Sequence, residues 1–345
     1  MLKYINFGHQ LISVIAKEMS IEQEMLVLNR IKFSVFLPFY SFRNTETGSL
    51  FNRILGITQE CERLGYYSVL LDDHLMFNKM PILECWTTLS ALSSATEKIR
   101  LGTMVTCNGF RNPALLAKMA ATVDNISDGR LELAIGAGVQ QNEHNAYGFP
   151  FPSTKARIER LNEAVEIIKK LWTHEKASYN GKHYTIHDAV CKPKPVQKPH
   201  PPITIGGGGE KLTMKVTARH ADRYDWGYLP TIDMYKHKMK VLEKHCDTVG
   251  RSFEDIEKSC WPAGQIFIGT DKKELKKRMQ QWLPPGVSLE DFMKTSFVGT
   301  PEDFIKQLRQ YLNLGVTHFM LFFGDLPDIE GLRVFAENVV QKISN

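Results

Sequence analysis

Apolar runs and polar loops alternate most clearly between Arg100 and Gly148, RLGTMVTCNGFRNPALLAKMAATVDNISDGRLELAIGAGVQQNEHNAYG. Residues 101–106 form a short apolar run with β-branched members, which predicts a strand. Pro113 suits the first turn of a helix, where its missing N–H would be unpaired anyway. Residues 114–126 then place apolar side chains at helical spacing, and Gly129 in Ser127-Asp128-Gly129 supplies a left-handed stop. Residues 130–135 predict a second strand that runs straight into Gly136-Ala137-Gly138. The stretch is one strand–helix–strand unit with a polar loop after each strand.

Similar units recur along the chain. Residues 32–37 predict a first strand ended by Pro38, and residues 50–64 an amphipathic helix closed by Gly65. A second strand at 67–71 leads at once to Asp72-Asp73-His74, and a helix follows at 86–97. Beyond the central unit, residues 156–172 predict a long helix, and residues 203–205 a fifth strand ending in Gly206-Gly207-Gly208-Gly209 before a helix at 210–220. Strands at 222–227, 265–269 and 317–323 are paired with helices at 234–249, 270–282, 301–314 and 329–343. Thr300-Pro-Glu-Asp is a strong start signal for the helix at 301. Two stretches read as irregular: the proline-rich 173–202, expected as an insertion across the barrel mouth or edge, and 283–297. Strands apolar on both faces that alternate with helices call for a parallel sheet. About eight such units predict an α/β (β/α)8 TIM barrel with insertions, with an open doubly wound sheet as the competitor.

Composition narrows the class without changing that picture. The 345 residues exceed the roughly 250 of a plain barrel, so one domain with insertions fits, and 43% hydrophobic residues suffice for a large core. The pattern divides the chain into an N-terminal extension, 1–31, and a barrel domain, 32–345; the extension lacks the uninterrupted apolar core of a secretory signal. Net charge is only +5, and Lys and Arg are interspersed with Asp and Glu, which argues against a nucleic-acid partner. Six scattered cysteines with no C-x-x-C pair read as reduced thiols, and no apolar run approaches membrane-spanning length. A cytoplasmic protein acting on a small molecule is the expectation.

A barrel of this kind presents its chemistry at the C-terminal ends of its strands. The glycine run at 206–209 lets backbone approach a ligand and leaves helix N–H groups for an anion; a flexible turn is the other reading. His74 is the strongest acid–base candidate because its pKa lies naturally near neutrality, though it could simply bond Asp72 or Asp73. Asp72, Asp73 and His74 do not read as a metal site, since consecutive loop residues rarely converge on one ion. Glu143 and His144 read first as solvent-facing or helix-capping groups, and second as catalytic ones.

At this point the residues resemble a family. LGTMVTCNGFRNPALLAKMAATVDNISDGRLELAIGAG, YGFPFP and PPITIGGGGEKLTMKVTARHAD resemble the bacterial-luciferase-like, flavin-utilising monooxygenases, and most of all the branch that uses the deazaflavin coenzyme F420. The resemblance spans residues 32–335 and is more specific to the superfamily than to one reaction. It implies a TIM barrel, commonly dimeric, with Asp73-His74 matching the family's Asp-His pair, whose histidine is the base in deazaflavin-dependent alcohol and sugar-phosphate dehydrogenases. Met104-Val105 match the bulge that backs the cofactor ring, often with a non-proline cis peptide, and Cys107 just after it is grouped with the cofactor-binding residues. Asn142 matches the ring-contacting asparagine, Gly138 allows the approach, and Gly206, Gly207, Gly208 and Gly209 match the phosphate turn.

The chain also departs from the family. Val139 stands where the sugar-phosphate dehydrogenases have a catalytic glutamate, and Phe77 and Asn78 occupy the neighbourhood of their tryptophan. A glucose-6-phosphate reaction is therefore not expected, and the role of His74 stays open between base and orienting group. The resemblance implies hydride transfer at the deazaflavin C5 to or from a small organic substrate. Its alternatives are an FMN-dependent monooxygenase served by a separate flavin reductase, a 5,10-methylenetetrahydromethanopterin reductase, and a non-catalytic carrier of a flavin-like ligand.

Overall fold

The computed structural model describes residues 31–38, 49–77, 80–229, 231–283 and 286–343, so the expected N-terminal extension lies, but for Ile31, outside the described residues. In chain order the described strands are β1 (Lys32–Leu37), β2 (Ser68–Leu71), β3 (Arg100–Thr103), β4 (Thr106–Cys107), β5 (Leu131–Gly136), β6 (Ala177–Asn180), β7 (Thr185–Ala189), β8 (Ile203–Gly206), β9 (Arg223–Asp225), β10 (Glu257–Cys260), β11 (Gln265–Ile268), β12 (Ser296–Gly299) and β13 (His318–Leu321). Strands β1, β2, β3, β5, β8, β9, β10 and β13 pair in parallel as a closed ring, with β4 prolonging β3 after a bulge. This is the (β/α)8 barrel, and the doubly wound sheet is set aside.

The helices around the barrel follow their local signals. Asn112 caps helix Pro113–Ile126 by accepting from the Ala114 N–H, with Pro113 in the first turn, and Gly129 beyond its end has φ +82°. Thr300 and Asp303 form a capping box at the start of helix Pro301–Leu312.

Three expectations are corrected. The seventh barrel strand is β10, Glu-Lys-Ser-Cys, not the apolar 265–269. β10 is polar because its Glu257 and Ser259 bond groups buried within the barrel, Arg223 and the Tyr224 carbonyl. The apolar β11 instead pairs with β12 in a separate two-stranded parallel sheet, with Phe267 packed against Leu275, Met279 and Phe292. The 173–202 insertion contains an antiparallel hairpin, β6–β7, whose turn is held by Glu163 accepting from the N–H groups of Lys182, His183 and Tyr184. The 283–297 stretch contains a short helix, Leu289–Met293, and the first half of β12.

The strands are also not apolar on both faces. Glu132 accepts from Arg223 Nη1 and from Arg100 Nε, both at 3.1 Å. Glu257 accepts from Arg223 Nε at 2.8 Å and Lys32 Nζ at 2.7 Å, and Ser34 links Ser68 to His318. Charges this deep are tolerated only when paired on all sides. Burial pushes the Glu132 carboxyl up, but Arg223, His318 and Arg100 outweigh it and hold it at about 2. Burial, then Arg223, pushes His318 down to about 4.

The pH dependence of stability follows from His318. Its native pKa lies below that of the unfolded chain, so between about 6.5 and about 4 the unfolded state binds the extra proton and stability falls with acidification. The contribution is roughly 1–3 kcal/mol. We expect a lower urea midpoint at pH 5 than at pH 7, and a smaller difference in His318→Gln. Part of the difference persists through His220, which burial and Lys169 also hold down at about 4.

Candidate active site

The floor of the site is made where the barrel seam turns outward. Between β3 and β4 the Met104–Val105 peptide is cis, as the resemblance implied. The Met104 N–H donates to Leu71 O at 2.7 Å, and its side chain packs on an apolar plug that includes Phe36, Leu70, Ala134, Met320 and Phe322. Val105 fits between the ends of β5 and β8 because both end in glycine. A Cβ on Gly136 would lie 2.9 Å from Val105 Cγ2, and one on Gly206 would lie 2.7 Å from Val105 Cγ1. Above this floor opens a cleft of about 240 Å3.

His74, from the loop after β2, lines the cleft, with its side chain 25% exposed. Its Nδ1 lies 3.0 Å from Glu143 Oε2. Glu143 Oε1 accepts from the Leu75 and Met76 N–H groups, so one carboxylate holds three consecutive residues of the His74 loop. Glu143 sits on the short helix Gln141–Ala146 and is buried, which its polar surroundings in the sequence did not suggest.

Asp73 lines the cleft but spends its oxygens on structure. Oδ2 accepts from the Cys107 N–H at 2.9 Å and Arg111 Nη1 at 2.6 Å, and Oδ1 accepts from Arg111 Nη2 at 2.9 Å. Burial pushes its carboxyl above the usual range, and the Arg111 fork and the Cys107 N–H offset that push only in part. Arg111 also bonds Glu84, so it ties the β4 loop both to the His74 loop and to the start of helix Cys85–Ser94.

Cys107 and His144 form the next part of the wall. His144 Nδ1 donates to Gln140 O at 2.8 Å, which leaves Nε2, 3.7 Å from Cys107 Sγ, to accept from the thiol. Burial pushes the Cys107 thiol up to about 12, so it is a protonated wall group rather than a thiolate nucleophile. Gly138 has φ +79°, and a Cβ there would meet Cys107 Sγ at 2.7 Å. Here glycine is required both by conformation and by space.

The glycine turn begins at the cleft and leads away from it. Gly206 and Gly207 line the cleft, whereas Gly208 and Gly209 lie on the exposed turn beyond. Lys238 Nζ anchors this turn by donating to Gly208 O and Glu210 Oε1, both at 2.8 Å. The following helix starts at Thr213 rather than at 210, so the turn is three residues longer than expected.

Of the residues singled out from the sequence, the fold thus gathers Asp73, His74, Met104, Val105, Cys107, Gly138, Gly206 and Gly207 around one cleft. Asn142 is not among the lining residues and is exposed on its helix. Glu143 and His144, read first as solvent-facing or capping, are buried in the wall. Phe110, Val139 and Gln140, from the loops after the third and fourth strands where a barrel presents its chemistry, line it as well, and so does Ala137, whose type does not mark it as a site residue. No described residue of the 173–202 or 283–297 stretches lines it.

The fold and the cleft at the strand ends define a barrel enzyme, and comparison with known proteins gives its family. The luciferase-like monooxygenase family matches residues 31–287, and the chain belongs to it, as an oxidoreductase. An F420-dependent glucose-6-phosphate dehydrogenase of Microbacterium testaceum is 26% identical over 323 residues, spanning 85% of this chain and 93% of the relative. Among solved structures, an F420-dependent secondary alcohol dehydrogenase in complex with an F420–acetone adduct superposes with a TM-score of 0.74 at 21% identity, over 91% of this chain and 99% of that one. A monooxygenase from Streptomyces bottropensis superposes with a TM-score of 0.75 at 22% identity, over 90% and 99%. These structures show the shared fold.

The Val105 slot is directly testable. Gly206→Ala should cost about 1–3 kcal/mol by overpacking. Val105→Ala in the Gly206→Ala background should recover part of that loss in denaturant midpoint. Losses that simply add would show that the two residues do not compete for the same space.

Proposed function

We propose that the chain is a coenzyme F420-dependent oxidoreductase that transfers a hydride between the deazaflavin C5 and a small organic substrate other than glucose 6-phosphate. The observation that carries this reading is the Met104–Val105 bulge, seated between Gly136 and Gly206, with the imidazole of His74 on the wall above it. The residues fit a planar ring: the backbone of the bulge offers a floor, and Met104, Val105, Phe110 and Ala137 make much of the lining apolar. Gly206, Gly207, Gly208 and Gly209 would hold the phosphate, with Lys238, paired to Glu210, tethering the turn at Gly208. The bound coenzyme would supply two-electron chemistry at C5, the carbon that replaces a flavin's N5 and makes it poorly reactive with oxygen.

The protein's part is to seat the ring, exclude water and handle one proton. His74 takes or returns that proton, and Gly138 keeps the wall low enough for a ligand to approach. The F420-dependent relatives support the deazaflavin over FMN. Val139, 79% exposed at the rim of the cleft, leaves no carboxylate at that position for a sugar phosphate reaction. On this reading the enzyme works in the cytoplasm as a homodimer; no described helix is long and apolar enough to cross a membrane.

Fluorescence titration of the protein with coenzyme F420 and FMN side by side tests the cofactor. Micromolar or tighter F420 binding with weak FMN binding is expected. The reverse preference, followed by oxygen uptake with reduced FMN, would replace this reading with a two-component monooxygenase. On the substrate found by screening alcohols, enones and pterins, His74→Ala should lower kcat on the order of 10²- to 10⁴-fold while F420 affinity holds within about threefold.

A further inference from the structure

Glu143 is a carboxylate that its own helix does not need. Gln141, Asn142, Asn145 and Ala146 of the same short helix are exposed, whereas Glu143 is 1% exposed. Burying a carboxylate is costly unless its lone pairs are filled. Every side-chain bond described for it fills them from the His74 loop: the Leu75 and Met76 N–H groups at Oε1, and the His74 ring at Oε2. The energetic return on its burial is therefore the placement of His74.

We propose that Glu143 is the positioning residue for His74, taking its Nδ1–H and leaving Nε2 as the unprotonated nitrogen open to the cleft. The proposal rests on His74 being the group that handles the proton. When Nε2 accepts a proton, Nδ1 keeps its own, the ring becomes an imidazolium, and Glu143 remains the anion beside it. The geometry is that of a base oriented by its partner, with the carboxylate choosing the tautomer and stabilising the ring once it is charged.

The other titratable groups around His74 are otherwise engaged. Asp73 is held by the Arg111 fork and the Cys107 N–H, and Arg111 is shared between Asp73 and Glu84. Both His144 nitrogens are in use, on Gln140 O and the Cys107 thiol. Asp72 is buried on the same loop, and the Phe77 ring lies 6.2 Å from the imidazole. Glu143 is the described carboxylate in contact with the His74 ring.

Nitrogen-15 NMR of the histidine-labelled full chain, without cofactor, tests this directly, with the His74 signals assigned by their loss in His74→Gln. In the wild type the neutral His74 ring is expected as the Nδ1–H tautomer. The Nε2–H tautomer, the commoner one for a free side chain, would overturn the proposal. In Glu143→Gln, whose amide N–H can donate to Nδ1 once the amide oxygen takes the loop N–H groups, the share of the Nδ1–H tautomer should fall. An unchanged tautomer share in that variant would overturn the proposal too, because a carboxylate that only props up the loop would alter thermal stability and leave the ring's tautomer alone. If Glu143→Gln does not fold, the wild-type tautomer decides. These measurements need no coenzyme, so they fail or succeed independently of the F420 titration.

Discussion

The close approach of neighbouring backbones at glycine is the constraint on which the site depends. Gly102 in β3 faces the strand that closes the barrel, and a Cβ there would lie 2.5 Å from the Glu132 carbonyl oxygen of β5. One layer higher, Gly136 pairs with Gly206, and Val105 occupies the space their missing side chains leave. Without the first glycine the seam between β3 and β5 would be held open. Without the other two the bulge would have nowhere to sit, and the cleft would lose its floor.

Below that floor the barrel changes character. An apolar layer around Met104, Phe36 and Phe322 supports the bulge, and a paired ionic layer around Glu132, Arg223 and Glu257 fills the interior. The ionic layer adds little net stability over a hydrophobic filling, yet removing any one partner would strand a buried charge. It is therefore a strong constraint on register. Each of its members comes from a different strand, so a strand slipped by one residue would break several pairs at once.

The cleft wall uses carboxylates in two ways. Asp73 and Glu143 both accept backbone N–H groups and both contact a basic side chain. Asp73 spends its oxygens on Arg111 and Cys107, which joins the loops after β2 and β4 into one rigid wall. Glu143 has the same economy but leaves its partner, His74, open to the cleft. Pairing Asp73 with His74, as the resemblance implies, therefore joins a carboxylate tied into the wall to an imidazole that faces the cleft.

Alternating apolar strands and helices, with their Pro, Gly and capping signals, were sufficient to predict the (β/α)8 barrel, because those periodicities are local. Strand-end position alone was enough to pick out His74 and the glycine run. The resemblance added the Met104–Val105 bulge. The polar β10 was invisible for a physical reason: its side chains are satisfied by partners such as Arg223, 34 residues away in sequence, so its composition mimics an exposed loop. The apolar 265–269 was misplaced in the barrel for the converse reason, since burial in a side sheet leaves the same pattern as burial in a barrel. Glu143 was hidden likewise, because a carboxylate between Asn142 and His144 looks solvent-facing until a loop 67 to 69 residues earlier is folded against it. The sequence by itself determined the repeating unit, the helix ends and the residue types at the strand tips. Only the tertiary structure decided which polar groups find partners, and a buried charge acquires a role only from the partner it finds.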